Sequence, residues 1–171
     1  MNKVVKYVCE SNYKLGNSDF LYFDINEDLN FQGIDNIYSY PNVDSEIPNN
    51  IKNLRINCDL DRQLIPGDIP ESVVYLVFGY GLIQNIYPGI IPKNVIFLYW
   101  GDYFYQKIKV GDIPNSVKQL SLGHSFNCKL NPGEIPNSVI RLYLGDNFDQ
   151  ELEPSVIPNS VKFLVVVLIK N

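Results

Sequence analysis

Short segments in which apolar and polar residues alternate recur along this chain at a fixed spacing. The clearest copies, Ile113 to Gly123 and Ile135 to Gly145, both read Ile-Pro-Asn-Ser-Val-x-x-Leu-x-Leu-Gly. The Ile-Pro pair that opens each copy recurs every 22 residues, at Ile47, Ile69, Ile91, Ile113, Ile135 and Ile157. A constant period of this size is typical of solenoids, in which each repeat forms one coil of a continuous stack.

The pattern within one repeat predicts a short strand and an extended return path. Counting the isoleucine as position 1, positions 8 and 10 are apolar in all six copies and alternate with variable residues, which indicates a strand with one buried side. Glycine at position 11 and Pro-Gly at positions 20 and 21 are turn signals, and the proline at position 2 disfavours a helix. We therefore predict a mainly β, right-handed, leucine-rich-repeat-like solenoid, with one parallel strand per repeat and an extended return side.

The chain resembles the FNIP-repeat proteins, a leucine-rich-repeat-like family of social amoebae and giant viruses. The residues that carry the resemblance are Ile113-Pro114-Asn115-Ser116-Val117, Leu120-Ser121-Leu122-Gly123, Phe126-Asn127, Leu130, Pro132-Gly133 and Ile135-Pro136. The resemblance implies six repeats over residues 47–171, the last one truncated. Residues 1–46 are expected to form an N-terminal cap over the first coil, with a degenerate repeat over 25–46, in one continuous domain. Many family members carry an F-box, which would imply a ubiquitin-ligase adaptor, but no such segment is recognised in residues 1–46.

The composition of the chain indicates which classes of partner, which secondary structure and which cellular compartment to expect. The formal net charge is -5, so the sequence favours neither nucleic acid nor an anionic membrane. Alanine and threonine are absent, while valine, isoleucine and tyrosine are abundant, as expected of a strand-rich chain. The cysteines are three and scattered, at Cys9, Cys58 and Cys128, which is typical of reduced thiols. With no signal peptide recognised, we expect a cytoplasmic protein, in the host cytoplasm if it is viral.

The outward positions of the strand, 7 and 9, hold the candidate binding residues. Aromatic and arginine side chains are favoured anchors of protein interfaces, although tyrosine, phenylalanine and valine also suit a solvent-facing sheet. The predicted partner-binding residues are Arg55, Tyr75, Phe97, Tyr99, Arg141, Tyr143 and Phe163. We therefore predict a non-enzymatic module that binds an unidentified protein through the exposed face of its parallel sheet.

Two other sets of residues could carry chemistry, and both have simpler interpretations. Acidic residues precede the Ile-Pro pairs at Glu46, Asp68, Asp112 and Glu134. Stacked carboxylates could hold Ca²⁺ or act as acid and base, but a solvated turn edge is the preferred interpretation. His124, with Cys128 and Asp146 near it in the repeat pattern, could activate a thiol, but a variable exposed loop is expected. The sequence predicts no catalytic residue, no metal ligand and no cofactor.

Two alternative functions remain open at this point. One is a parallel β-helix protein that binds or cleaves polysaccharide, which would need carboxylates facing the aromatic residues. The other is a self-assembling structural protein. The apolar end of the last repeat favours a homodimer through the C-terminal edge, with Val165, Val167 and Ile169 as the contact residues, unless this run folds over the last coil.

Overall fold

A computed structural model describes residues 5–10, 38–40, 47–56, 62–79 and 84–168, with side chains in the last three ranges up to residue 166. These residues form one eight-stranded sheet in the order β1-β8-β7-β6-β5-β4-β3-β2, in which every neighbouring pair is parallel. The strands are β1 (Val5–Glu10), β2 (Tyr38–Tyr40), β3 (Asn53–Ile56), β4 (Tyr75–Phe78), β5 (Phe97–Trp100), β6 (Gln119–Ser121), β7 (Arg141–Tyr143) and β8 (Phe163–Leu168). The described part of the chain contains no helix, and hence none that could cross a membrane.

From β3 to β8 the strand register follows the sequence period. Leu54 pairs with Leu76, Leu76 with Leu98, and the same column continues through Leu120 and Leu142 to Leu164. Each residue therefore lies beside its equivalent 22 positions away. This confirms the prediction of a leucine-rich-repeat-like parallel solenoid with one strand per repeat.

The core lies on the inward side of this sheet, between the strands and the return path. The leucines at position 8 and the apolar residues at position 10 are buried from β3 to β8. Next to them, Trp100 stacks on Phe104 of its own repeat, with ring centroids 4.7 Å apart. Rings also stack from coil to coil: Phe104 on Phe126 at 5.9 Å and Phe126 on Phe148 at 6.0 Å between centroids. The apolar positions of successive repeats thus fill a single continuous interior.

Two turns in each repeat reverse the chain. In the first full repeat the amide of Asp68 donates to the carbonyl of Ile65 at 3.2 Å, across Pro66 and Gly67. Gly67 has a φ of 99°, and proline followed by glycine at positive φ is the sequence of a type II turn. A second turn follows the Ile-Pro pair, where, for example, the amide of Val73 donates to the carbonyl of Pro70 at 3.0 Å. No helix is needed to return the chain to the next strand.

The two ends of the sheet depart from the repeat. At one end β2 pairs Tyr38 with Leu54, which are 16 residues apart, so β2 does not continue the 22-residue period. At the other end β1 lies along β8 over six paired residues, from Val5 with Phe163 to Glu10 with Leu168. From the sequence, the N-terminal segment was expected to cover the first coil. In the structure its strand β1 instead lies beside β8, the strand of the last coil. The domain division at residue 46 stays a prediction.

Candidate interaction surface

The outward residues at positions 7 and 9 of β3 to β8 form one side of the sheet, which we call the strand face. The alternation of each strand places them opposite the buried leucines, as predicted. The three tyrosines Tyr75, Tyr99 and Tyr143 and the two arginines Arg55 and Arg141 are half-buried there. These aromatic and cationic side chains are therefore available, in part, to a partner.

Phe97 and Phe163, at position 7, differ in their exposure. Phe97 is only 1% exposed, so its selection as a binding residue is not supported by its accessibility. Its neighbour Tyr75 packs on it, with ring centroids 6.3 Å apart. Phe163 is 40% exposed, and the guanidinium carbon of Arg141 lies 5.1 Å from its ring centroid. This distance is that of a cation–π contact, which orients Arg141 toward the last repeat.

Near the carboxyl ends of the strands, two tyrosines of the strand face meet two aspartates at position 12. The hydroxyl of Tyr99 donates to Asp102, and the hydroxyl of Tyr143 donates to Asp146. Between these pairs, Nδ1 of His124 lies 2.7 Å from Oδ2 of Asp146. Ser121 occupies the position between the tyrosines, paired in register with Tyr99 on one side and Tyr143 on the other. We call this set the tyrosine–aspartate cluster: Tyr99, Asp102, Ser121, His124, Tyr143 and Asp146.

Backbone hydrogen bonds fix the spacing of the position 12 residues. The amide of Ser125 donates to the carbonyl of Asp102 at 2.8 Å, and the amide of Asn147 donates to the carbonyl of His124 at 3.1 Å. Each position 12 residue is thereby held one coil away from the next. The glycine before it lets successive turns approach this closely, since a Cβ on Gly123 would lie 1.9 Å from the carbonyl oxygen of Gly101.

The members of the cluster influence one another electrostatically. Burial raises the pKa of the Tyr143 phenol, and its hydrogen bond to the Asp146 carboxylate raises it further. Tyr99 and Asp102, two repeats away, contribute in the same direction. The phenol therefore stays protonated and keeps donating to the carboxylate, in a region of negative potential.

The acidic residues that precede the Ile-Pro pairs, which we call the turn column, have a structural role. Two of them are buried, although a solvated turn edge was expected. Asp112 and Glu134 are buried, at 3% and 5% exposure, so they are not solvated. A carboxylate oxygen of Asp112 accepts from the amide of Lys109 and one of Glu134 from the amide of Asn131, both at 2.7 Å. They close the glycine-containing turns before the Ile-Pro pairs, Val110-Gly111 for Asp112 and Pro132-Gly133 for Glu134, as Asp68 does at Pro66-Gly67. Glu46 lies outside the described residues. Among the side chains that the structure describes, no group of three or more potential ligands could hold a metal ion.

The histidine and cysteine singled out by the sequence do not form a pair. The Sγ atom of Cys128 lies 3.1 Å from the carbonyl oxygen of Tyr105, to which it donates. Burial raises the pKa of this thiol, which disfavours the reactive thiolate. His124 is exposed on the loop after its strand, where the sequence analysis expected it.

Some functional candidates were missed by the sequence analysis. Exposed aromatic residues also occur away from the strand face, at Tyr87, Tyr103 and Tyr105. The pairing of Tyr99 with Asp102, and of Tyr143 with Asp146, could have been found from a Tyr-x-Gly-Asp pattern shared by the two repeats. Of the predicted self-association residues, Val165 is half-buried, while the side chain of Val167 and all of Ile169 lie outside the described part of the chain.

Comparisons with known proteins agree with this architecture. The FNIP Repeat family model matches residues 42–81, 84–125 and 126–165. Among solved structures, the chain is similar to CroV588, described as a novel circular leucine-rich-repeat protein, with a TM-score of 0.66 and 29% sequence identity. The similarity covers 71% of this chain but only 18% of that protein. No curated protein sequence matches the chain significantly.

Proposed function

The chain belongs to the FNIP-repeat family, and from this premise we propose that it is a non-enzymatic module that binds a partner protein through its strand face. Leucine-rich-repeat-like solenoids serve in general as interaction scaffolds, since their stacked coils present an extended surface of regularly spaced side chains. The observation that carries the proposal is the half-buried row of tyrosines flanked by Arg55 and Arg141. Tyrosine and arginine are enriched among the residues that dominate binding energy.

The rigidity of the surface supports the same proposal. Hydroxyls of Tyr99 and Tyr143 are held by carboxylates, and Arg141 is held over the ring of Phe163. Side chains that are ordered before binding lose less conformational entropy on association. The face therefore suits recognition of a partner without a large rearrangement.

The polysaccharide alternative depends on which carboxylates are available. The described acids of the turn column, Asp68, Asp112 and Glu134, already accept backbone hydrogen bonds, and they lie at the turn edge. The aspartates beside Tyr99 and Tyr143 do approach the aromatic residues, which the sequence analysis did not expect. A glycan array therefore complements the protein-capture experiment.

The proposal is tested by affinity capture from a lysate of the source cells, followed by mass spectrometry. Tyr99→Ser together with Tyr143→Ser should abolish the capture of a partner that the unaltered chain retains. The control is Tyr103→Ser with Tyr105→Ser, which removes two exposed tyrosines away from the strand face. If both pairs of substitutions leave capture unchanged, or if both reduce it equally, the strand face is not the binding surface.

A further inference from the structure

The tyrosine–aspartate cluster has a chemistry of its own within the strand face. We propose that it is a recognition site for a cationic side chain, arginine or lysine, of the partner protein. This inference rests on the proposed function and specifies the partner's chemistry.

Negative charge is concentrated at the cluster. The cluster contains the two carboxylates Asp102 and Asp146, and both are half-buried beside aromatic rings. The nearest arginine of the same strand, Arg141, lies toward the opposite strand end and has its guanidinium over Phe163. Across β5 to β7 the arginine therefore lies at position 7, before the tyrosines, and the carboxylates lie at position 12, after them. A carboxylate partly removed from water attracts a cation more strongly than an exposed one.

The cluster also contains an unsatisfied polar group, the hydroxyl of Ser121. Ser121 is 1% exposed, and its register neighbours on both sides are the tyrosines. The strand alternation directs its side chain to the strand face, because Leu120 and Leu122 on either side of it point into the core. Among the residues that the structure describes, its hydroxyl has no hydrogen-bond partner. A buried hydroxyl without a partner is costly, and a bound donor or acceptor at the cluster would lower that cost.

A cationic side chain bound at the cluster would contact both aromatic rings and carboxylates. The rings of Tyr99 and Tyr143 border Ser121, and an arginine or lysine stem can pack on aromatic faces while its charged head reaches a carboxylate. The tyrosine hydroxyls hold the carboxylates in place through their hydrogen bonds. Arginine fits best, because its planar fork can donate to more than one oxygen acceptor.

A defined peptide tests the proposal on the full chain. The probe is an acetylated, amidated peptide with two arginines separated by glycines, and its control replaces both arginines by citrulline. Citrulline keeps most of the shape and hydrogen-bonding capacity but has no charge. Titration followed by amide chemical shifts should show the arginine peptide perturbing residues 99–102, 121–124 and 143–146, with the citrulline peptide at least tenfold weaker. Equal binding of the two peptides would overturn the proposal.

Matched variants separate local recognition from general attraction. Asp102→Asn with Asp146→Asn should weaken the arginine peptide at least tenfold. Asp149→Asn with Glu151→Gln changes the net charge equally at two exposed carboxylates on the return side and should alter binding less than twofold. Equal losses in the two variants would mean unspecific attraction by an acidic chain. The peptide comparison needs no variant, so it decides the matter even if a substitution disturbs folding.

Titration with a neutral oligosaccharide tests the competing possibility that the cluster binds sugar. If the oligosaccharide perturbs the cluster resonances more strongly than the arginine peptide, the cluster is a sugar site and the cation proposal fails. If capture of a protein partner depends on Tyr99 and Tyr143 but not on the two aspartates, the proposed function stands without cation recognition.

Discussion

At the scale of single residues, two carboxylates in equivalent turns experience opposite environments. Asp68 forms an ion pair with Arg62 at 2.7 Å, and the hydrogen bond from this guanidinium lowers the pKa of the aspartate. Within the described part of the chain, Asp112 has no such ion pair and one of its oxygens accepts no hydrogen bond, while burial raises the pKa of its carboxyl. Ionisation of the carboxylate at this position therefore stabilises the fold in one coil and costs stability in another.

These environments predict opposite effects of the same substitution. Asp68→Asn should lower the free energy of unfolding at neutral pH by roughly 1 kcal/mol, because it removes a partly exposed ion pair. Asp112→Asn should raise it, because the amide oxygen can still accept from Lys109 without a buried charge. Urea denaturation of both variants at about pH 7 measures these changes.

The pH dependence of these two changes in the free energy of unfolding tests whether charge causes them. A lowered folded-state pKa contributes stability above the unfolded value of 3.8, and this contribution is lost as the pH falls through the folded-state pKa of Asp68. The raised pKa of Asp112 has the reverse sign, so ionisation costs stability as the pH rises above 3.8. Both differences from the unaltered chain should therefore shrink toward about pH 3. Differences that persist unchanged in acid would assign them to packing and not to charge.

At the scale of the element, the glycine after a strand decides how closely successive coils approach. Gly123 has a φ of 78°, and a Cβ there would lie 1.9 Å from the carbonyl oxygen of Gly101. Gly67, in the Pro-Gly turn, has a φ of 99° but nothing within 4 Å of an added Cβ. Both glycines adopt a positive φ, which disfavours other residues. Only at Gly123 would an added Cβ also clash with the neighbouring coil.

This difference predicts unequal costs for alanine. Gly67→Ala should cost roughly 1–2 kcal/mol, which is the penalty of a left-handed conformation. Gly123→Ala should cost roughly 3 kcal/mol or more, because the coils must also separate. Thermal or urea denaturation of the two variants gives the comparison. Equal losses would show that the close approach of the coils contributes nothing to the requirement for glycine.

The last repeat lacks this glycine, and its strand is longer than the strands of the other repeats. Position 11 of the final repeat is Val167, and β8 continues through Leu168, where most repeats have already turned. Its added residues pair with Cys9 and Glu10 of β1. The loss of the glycine thus accompanies a longer strand with a different partner.

At the scale of the whole molecule, a solenoid must protect the ends of its sheet. Unpaired strand edges are templates for association with other chains. In this structure β1 covers the β8 edge along its whole length. The homodimer predicted through that edge stays a prediction, and it requires β1 to leave or to be exchanged between two copies.

Removal of β1 should therefore expose an associating edge. We expect a chain lacking residues 1–10 to dimerise at micromolar concentrations, and sedimentation velocity measures this directly. Val165→Lys with Val167→Lys in the shortened chain should restore the monomer, because charged residues on an edge strand oppose pairing. A shortened chain that remains monomeric at all concentrations would remove the case for association through β8.

The sequence by itself determined the repeated part of the architecture. The interval between Ile-Pro pairs set the register, since every coil repeats the same short-range signals: alternation at the strand, glycine after it and Pro-Gly before the next pair. The stacked leucines from Leu54 to Leu164 follow directly from this local information. Where the period ends, local signals no longer specify the partner strand, and β2 does not take the place that the period predicts.

Only the tertiary structure decided which side chains of equivalent positions are accessible and which groups meet. Phe97 and Phe163 share position 7, yet one is buried and the other exposed, because each depends on the side chains of neighbouring coils. The tyrosine–aspartate cluster, the buried turn acids and the pairing of β1 with β8 likewise arise from contacts between different coils. A repeat pattern specifies the features that all coils share. The proposed functional surface depends on the residues that differ between coils and on the side chains that these residues contact in neighbouring coils.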